Sequence, residues 1–176
     1  TMYQELSGVR IMAYTTIDDP SVYFQTKIYT GNGGALAVTN DGNSDLQPDW
    51  VWLKVRSNGT YGHALFDSVR GVNKKLSSNA TSAEEDQSSD VSLSAFNSDG
   101  FTLGGYFNNV NQSGQTFVSW QWKAGTSVSG NTGGSGTAKT YTGSVNTDAG
   151  FSIIRYIGNG SAGHTIPHHL GTTPAW

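Results

Sequence analysis

The amino-acid sequence predicts an all-β protein built as an antiparallel β-sandwich. Segments that alternate apolar and polar residues recur along the chain, and turn residues separate them at intervals of roughly 8–12 residues, the spacing of sandwiches and barrels. Glycine makes up 23 of the 176 residues and only 13% are charged, a composition that suits short strands joined by tight turns. No stretch longer than about ten residues carries the 3.6-residue period of an amphipathic helix.

The alternating pattern places the strands and part of the core. The Asp99-Gly100 pair predicts a hairpin turn, because glycine adopts the positive φ that such turns need. Residues 71–90, with one helical turn at 82–85, and the low-complexity residues 125–136 are predicted as surface loops. The predicted strands are 9–17, 22–30, 49–56, 62–69, 91–95, 101–103, 116–124, 141–145 and 151–157. The predicted inward-facing residues are Val51, Leu53, Leu93, Phe101, Val118 and Trp120.

An internal repeat suggests the domain organisation. Residues 24–33 are echoed by residues 151–160, and residues 46–50 by residues 171–176, where both copies share a Pro-x-Trp pattern. The predicted division is a lead-in or connector at 1–23, a β-sandwich module at 24–150 and the start of a second copy at 151–176. An interrupted copy is expected to leave an unpaired strand edge, which predicts a homo-oligomer or fibre.

Charge and hydropathy exclude several classes of partner. The formal net charge is −3 and the isoelectric point about 5.7, so the chain lacks the basic surface expected of a nucleic-acid-binding protein. No apolar run approaches the roughly 20 residues that span a bilayer, so no membrane insertion is expected. There is no cysteine, which excludes disulfides and thiolate metal sites, and no cofactor is expected.

Six short motifs together carry a resemblance to a known family. The motifs lie at residues 47–54, 65–71, 76–79, 96–101, 118–125 and 146–151. In combination they resemble an uncharacterised domain family of virion and tail-fibre-like proteins of bacteriophages, notably marine ones, whose members often occur beside concanavalin-A-like lectin modules. The resemblance covers about residues 24–176. It implies a jelly-roll or concanavalin-A-like sandwich at the virion surface, and it transfers no catalytic residues.

Three functions from different classes follow. The leading expectation is a non-enzymatic virion module, a tail-fibre or surface decoration domain that packs with other virion subunits and contacts a host receptor. The first alternative is a carbohydrate-binding module with a host-surface glycan as its partner. The second is a polysaccharide depolymerase, which needs two carboxylates across a cleft. The available acids are Asp49, Asp67, Glu84, Glu85 and Asp86.

Aromatic residues supply the candidate sugar-binding site. The chain contains two Trp-x-Trp pairs, Trp50 with Trp52 and Trp120 with Trp122. Exposed aromatic rings with amide neighbours are typical of sugar-binding surfaces, whereas tryptophans two apart on one strand more often pack in the core. Trp52 and Trp120 are therefore expected in the core. The candidate carbohydrate-binding residues are Trp50, Trp122, Tyr106 and Asn108.

Two polar loops are candidates for metal binding. Asp41, Asn43 and Asp45 match the first half of a calcium loop, although position six is Leu46 and position twelve is Trp52, which rules out an EF-hand. The alternative is an ordinary hydrophilic loop. The second loop holds three histidines within residues 164–169, for which an exposed loop is favoured over a metal site.

Overall fold

The computed structural model describes residues 17–87, 91–105 and 108–174, so the predicted strand at 9–17 lies outside the described residues except for its last residue. The described residues are nearly all strand, turn and loop, with only two short helical turns, which confirms the all-β prediction. No helix in the described residues has the length and apolar character needed to cross a membrane. A 3-10 turn at Pro20–Val22 and the helix α1 at Asn108–Asn111 accompany the strands. The strands are β1 Phe24–Thr30, β2 Leu36–Val38, β3 Trp50–Val55, β4 Ala64–Asp67, β5 Gly71–Leu76, β6 Glu85–Asp86, β7 Leu93–Phe96, β8 Phe101–Leu103, β9 Thr116–Trp122, β10 Thr126–Asn131, β11 Gly133–Gly134, β12 Thr140–Asn146, β13 Phe151–Tyr156 and β14 His164–Thr165.

Two antiparallel sheets enclose the main core. The six-stranded main sheet has the order β1-β9-β3-β4-β5-β6, and the three-stranded inner sheet has the order β2-β8-β7. Apolar residues from both sheets and from α1 form one buried cluster between them, as in a β-sandwich. The jelly-roll assignment stays a prediction. The buried cluster consists of Val38, Val51, Leu53, Ala64, Phe66, Leu93, Phe101, Leu103 and Val110.

Strand β9 is inverted relative to the prediction. Phe117, Ser119 and Gln121 point into the sandwich and are buried, while Val118 and Trp120 lie on the opposite, half-buried side. The placement of Val118 and Trp120 in the core was therefore wrong, whereas that of Val51, Leu53, Leu93 and Phe101 is confirmed.

A hydrogen-bonded cluster allows the inner side of β9 to be polar. The Nε2 group of Gln121 donates to Asn40 Oδ1 at 2.6 Å and to Ser119 Oγ at 3.1 Å. Burying an amide without partners costs free energy, and these two bonds offset that cost for the Nε2 group, whereas Gln121 Oε1 is buried without a hydrogen-bond partner in the described residues. The inner face of β9 thus accepts two polar side chains beside Phe117.

A third sheet lies over the other side of the main sheet. This cover sheet has the order β10-β12-β13, and Phe151 of β13 contacts Trp50 and Trp122 on the outer face of the main sheet. The predicted loop at 125–136 was wrong, because β10 pairs with β12 through six residue pairs. Likewise the predicted loop at 71–90 contains β5 and β6. The predicted helical turn at 82–85 was wrong, because residues 82–84 are not helical and Glu85 begins β6.

The repeated segments share a local conformation and differ in their neighbours. β1 is followed by Gly33 with φ 71° and β13 by Gly160 with φ 74°, so each strand leads to a glycine in the left-handed region. β1 pairs with β9 in the main sheet, whereas β13 pairs with β12 in the cover sheet. The proposed boundary between residues 150 and 151 falls within the cover sheet, and the division into domains stays a prediction.

Candidate functional site

The outer face of the main sheet carries a continuous patch of aromatic and aliphatic side chains, which we name the aromatic face. It comes from β1, β9 and β3, because residues two apart on a strand point to the same side of a sheet. The register sets Trp50 opposite Trp122 and Trp52 opposite Trp120. The aromatic face consists of Phe24, Ile28, Trp50, Trp52, Val118, Trp120 and Trp122.

One end of the aromatic face is covered by the cover sheet. Phe151 stacks on Trp122 with ring centroids 5.9 Å apart, and it meets Trp50 edge-on at 6.5 Å. Phe24 also packs against Trp122, with ring centroids 4.8 Å apart. Trp50 and Trp122 therefore join two layers of the fold.

The other end of the aromatic face reaches solvent in the described part of the chain. The rings of Trp52 and Trp120 lie 5.8 Å apart at 62°, and both side chains are half-buried. On the adjacent strand Ile28 is 59% exposed. Ile28 lies opposite Val118 and on the same face as the two partly exposed tryptophans, and an accessible apolar surface of this kind marks binding sites.

His63 fixes the orientation of Trp52. Trp52 Nε1 donates a hydrogen bond of 2.7 Å to His63 Nδ1, which requires the neutral ring with its proton on Nε2. Burial and the positive charge of Lys54 lower the pKa of His63 below its ordinary value of 6.5. Lys54 is held in turn by the carbonyl oxygen of Tyr61 at 2.8 Å. The polar border of the open end is therefore built from groups with defined positions.

The structure does not bring the four predicted carbohydrate-binding residues together. Trp50 and Trp122 lie on the aromatic face, but at its covered end. Tyr106 and the side chain of Asn108 lie outside the described residues, and Asn108 begins α1, the helix whose Val110 packs in the main core on the inner side. The carbohydrate-binding role stays a prediction.

The two tryptophans that form the open end were missed. Trp52 and Trp120 were expected in the core, and that prediction was wrong, because both lie on the outer face. The Trp-x-Trp spacing shows that each pair shares a side of its strand. Only the pairing of β3 with β9 shows that all four share one face.

The predicted calcium loop is held by protein groups. Gln25 binds it from β1, accepting from the Gly42 N–H at 2.9 Å and donating to the Ser44 carbonyl oxygen at 2.7 Å. Asp41 pairs with Lys27 at 2.8 Å, which places a positive charge beside a carboxylate that a cation would need. Asp41, Asn43 and Asp45 are all exposed. The geometry supports the alternative of an ordinary loop, and the calcium site stays a prediction.

The three loop histidines have separate partners. His164 Nε2 lies 2.6 Å from Thr132 Oγ1, and His169 Nε2 lies 2.8 Å from the Tyr141 hydroxyl. Within the described residues no group of three or more His, Cys, Asp or Glu side chains is arranged to hold a metal ion. His168 Nδ1 accepts from the Leu170 N–H at 3.1 Å within its own segment, whereas His164 and His169 join the C-terminal segment to the connection after β10 and to β12.

Two acids beside the aromatic face are engaged in structural contacts. Asp67 is 1% exposed and accepts from both the backbone N–H and the Nε group of Arg70, whose guanidinium also binds Glu84 at 3.0 Å. Asp49 accepts from Ser68 Oγ at 2.6 Å and from the Ala124 N–H at 2.9 Å. Both carboxylates thus hold the ends of β3, β4 and β9 together.

A polar groove of about 660 Å³ lies between the cover sheet and the Asp49–Ser68 end of the main sheet. We name it the hydroxyl groove, because side-chain hydroxyls from β10, β12 and the turn after β4 line it. The groove contains one guanidinium, that of Arg155, which has no hydrogen bond or ion pair within the described residues. The polar side chains that define the hydroxyl groove are Asp49, Ser68, Ser127, Ser129, Thr142, Ser144 and Arg155.

Comparison with known families assigns the chain to one of them. A family profile matches residues 19–176, a span that includes the aromatic face, the hydroxyl groove and both predicted repeat segments. The chain belongs to DUF7483, a domain of unknown function. No curated protein and no solved structure matches it at a significant level.

Proposed function

We propose that this chain is a non-enzymatic module of a bacteriophage virion surface, of the tail-fibre or decoration type, and that its aromatic face contacts a host-surface glycan. We assign the glycan contact to the open end of the aromatic face, since the rings of Trp52 and Trp120 lie 5.8 Å apart there, on the face that also exposes Ile28. The virion part is supported by the set of motifs in residues 24–176, which is similar to phage domains.

The chemistry of the open end suits a sugar ring. A pyranose presents an apolar C–H face that packs on an aromatic ring and a polar rim that needs donors and acceptors. Trp52 and Trp120 provide rings, and Lys54, His63 and Thr26 provide polar groups at the same side of the sheet. Because His63 fixes the Trp52 ring before any ligand arrives, little side-chain entropy is lost on binding.

The state of the nearby carboxylates supports binding rather than hydrolysis. Glycoside hydrolysis uses one carboxyl group as the acid and a second as the nucleophile or base. Asp67 is buried in an ion pair with Arg70, and Asp49 caps the end of β9. We therefore assign these two acids a structural role and give the chain no catalytic one.

Alanine variants of the open end test the glycan part. Trp52→Ala and Trp120→Ala are each expected to lower glycan affinity at least tenfold (about 1.4 kcal/mol), the loss typical of truncating an aromatic anchor. Binding is measured on a glycan array and then by titration calorimetry with the glycans found. The matched control is Ile157→Ala, which removes a large apolar side chain that is 60% exposed outside the aromatic face.

The result that contradicts the proposal is unchanged glycan binding in both tryptophan variants, or an array on which the wild-type chain binds nothing. The virion part is tested separately, by immunogold labelling of purified particles with an antibody against this chain. Unlabelled particles that contain the other virion proteins contradict it.

A second candidate use of the same surface is packing between virion subunits. β1 is the terminal strand of the main sheet in the described residues, and it exposes Phe24 at 37% and Ile28 at 59%. An apolar strand at a sheet edge favours association with another chain. Light scattering on Ile28→Lys measures this, with Ile157→Lys as the control, since Ile157 is 60% exposed outside the aromatic face. Assembly through β1 predicts a smaller mass for Ile28→Lys alone, whereas equal masses contradict it.

A further inference from the structure

The three strands of the cover sheet set a row of polar groups toward the hydroxyl groove. Register pairs Ser129 with Thr142 and Thr142 with Arg155, so the three side chains stand side by side on one face of the sheet. Directly opposed side chains in antiparallel strands are about 5 Å apart at Cβ. Ser127 follows on the same face, two residues before Ser129. The row therefore presents hydroxyl groups in line and ends on a guanidinium.

Arg155 is the distinctive member of this row. The side chain is exposed, and no carboxylate or carbonyl of the described residues binds it, although Asp49 lines the same groove. Arg155 also lines a smaller cavity of about 340 Å³ together with Trp50 and Asp67. The hydroxyl groove thus lies next to the cavity that reaches Trp50, at the covered end of the aromatic face.

We infer that the hydroxyl groove binds a sugar unit that carries a carboxylate, with the Arg155 guanidinium as the carboxylate anchor and the Ser and Thr hydroxyls as partners of the ring hydroxyls. This inference rests on the proposed glycan-binding function and names the class of glycan. A guanidinium pairs with a planar carboxylate through two parallel hydrogen bonds, which a neutral sugar does not accept in that form.

Asp49 restricts the charge of the ligand. Its two oxygens already accept from Ser68 and Ala124, which leaves lone pairs for a sugar hydroxyl. A doubly charged phosphate in the same groove meets stronger repulsion from Asp49 than a singly charged carboxylate does. The groove therefore favours uronic or nonulosonic acids over phosphorylated sugars.

The test uses probe pairs that differ in the carboxylate. Trigalacturonate is compared with the galactose trimer of the same linkage, and sialyllactose with lactose, by calorimetric titration of the full chain. We expect at least tenfold tighter binding of one acidic probe than of its neutral counterpart. Which pair shows the preference distinguishes uronic acids from nonulosonic acids.

Variants test whether Arg155 causes the preference for the acidic probe. Arg155→Gln is expected to remove the preference for the acidic probe and to leave affinity for the neutral probe unchanged, and added salt is expected to have the same effect in the wild type. The matched control is Arg56→Gln, since Arg56 is also exposed and lies outside the groove.

The possible failures are distinguishable. Equal affinity for acidic and neutral probes, or an acidic preference that survives Arg155→Gln, overturns the inference. If neutral glycans still bind and need Trp52 and Trp120, the proposed function stands without it. If the wild-type chain binds no glycan, both are overturned.

Discussion

Phe151 joins the cover sheet to the main sheet, and its removal is expected to loosen that contact. It stacks on Trp122 at 5.9 Å and meets Trp50 edge-on at 6.5 Å. Each aromatic pair of this geometry contributes about 0.5–1.5 kcal/mol beyond its buried area, so two pairs contribute about 1–3 kcal/mol. Burial of the half-buried ring adds roughly 1 kcal/mol. Phe151→Ala should therefore lower the free energy of unfolding by about 2–4 kcal/mol.

Urea denaturation followed by circular dichroism measures this loss. Phe151→Leu is the matched control, because leucine keeps most of the apolar area and loses only the ring contacts, about 1–3 kcal/mol. A double-mutant cycle with Trp122→Leu should give a coupling of about 0.5–1.5 kcal/mol between the two rings.

Amide hydrogen exchange shows which strands lose stability in Phe151→Ala. In Phe151→Ala, amides of β10, β12 and β13 should exchange faster, while those of β3 and β9 keep their protection. A loss below about 1 kcal/mol, or no coupling between Phe151 and Trp122, refutes the reasoning that these rings hold the layers together.

Two further predictions concern groups with shifted pKa values. Burial raises the pKa of Tyr29 well above 10.0, and its hydroxyl donates a hydrogen bond of 2.6 Å to the Val110 carbonyl oxygen. Tyr29→Phe should therefore lower the free energy of unfolding, measured by urea denaturation, by about 1–2 kcal/mol. An unchanged denaturation midpoint contradicts this. Burial and the positive charge of Lys54 lower the pKa of His63 in the folded chain, so the unfolded chain binds the proton first as the pH falls. The stability from the His63–Trp52 hydrogen bond is therefore fully present above pH 6.5 and is lost as the pH falls through the folded pKa. Melting temperatures should fall in this acid range for the wild type and less for His63→Asn, whose amide oxygen accepts without titrating, and equal profiles count against it.

The strands with strong alternation were predictable from the sequence alone. β3 and β8 follow the period of two, and the hairpin before β8 requires Gly100, which has φ 94°. A Cβ at this position would lie 2.1 Å from the Val38 carbonyl oxygen, so no other residue fits. Local steric rules therefore placed both the turn and the buried Phe101 correctly.

The direction of β9 was not predictable by the same rules. Alternation separates the two faces of a strand but does not say which one meets the core, and hydrophobicity favoured the side with Val118 and Trp120. The outcome depends on partners distant in sequence, since the buried Gln121 donates a hydrogen bond to Asn40. The sequence of β9 alone does not show which of its two faces is buried.

β10 was missed for a different reason. Its residues are almost all small or polar, with Val128 the sole large apolar side chain, so it has no alternating signal. The strand forms because its backbone pairs with β12, and its exposed face remains hydroxyl-rich beside Arg155. The polar residues that prevented the prediction of β10 also include the serine hydroxyls that line the hydroxyl groove and could bind a ligand there.

The contrast between these two surfaces bears on function. A sheet whose inner face packs in a sandwich needs no apolar residues on its outer face, and polar outer faces are the rule. The main sheet instead carries four tryptophans outward, and Phe151 of the cover sheet packs on only the two at one end. Trp50 and Trp122 are explained by that contact, whereas Trp52 and Trp120 contribute nothing comparable to the main core. Places where a sequence departs from the local rules of its fold are where function is expected. The open end of the aromatic face is such a place, and a bound partner accounts for it more directly than stability does.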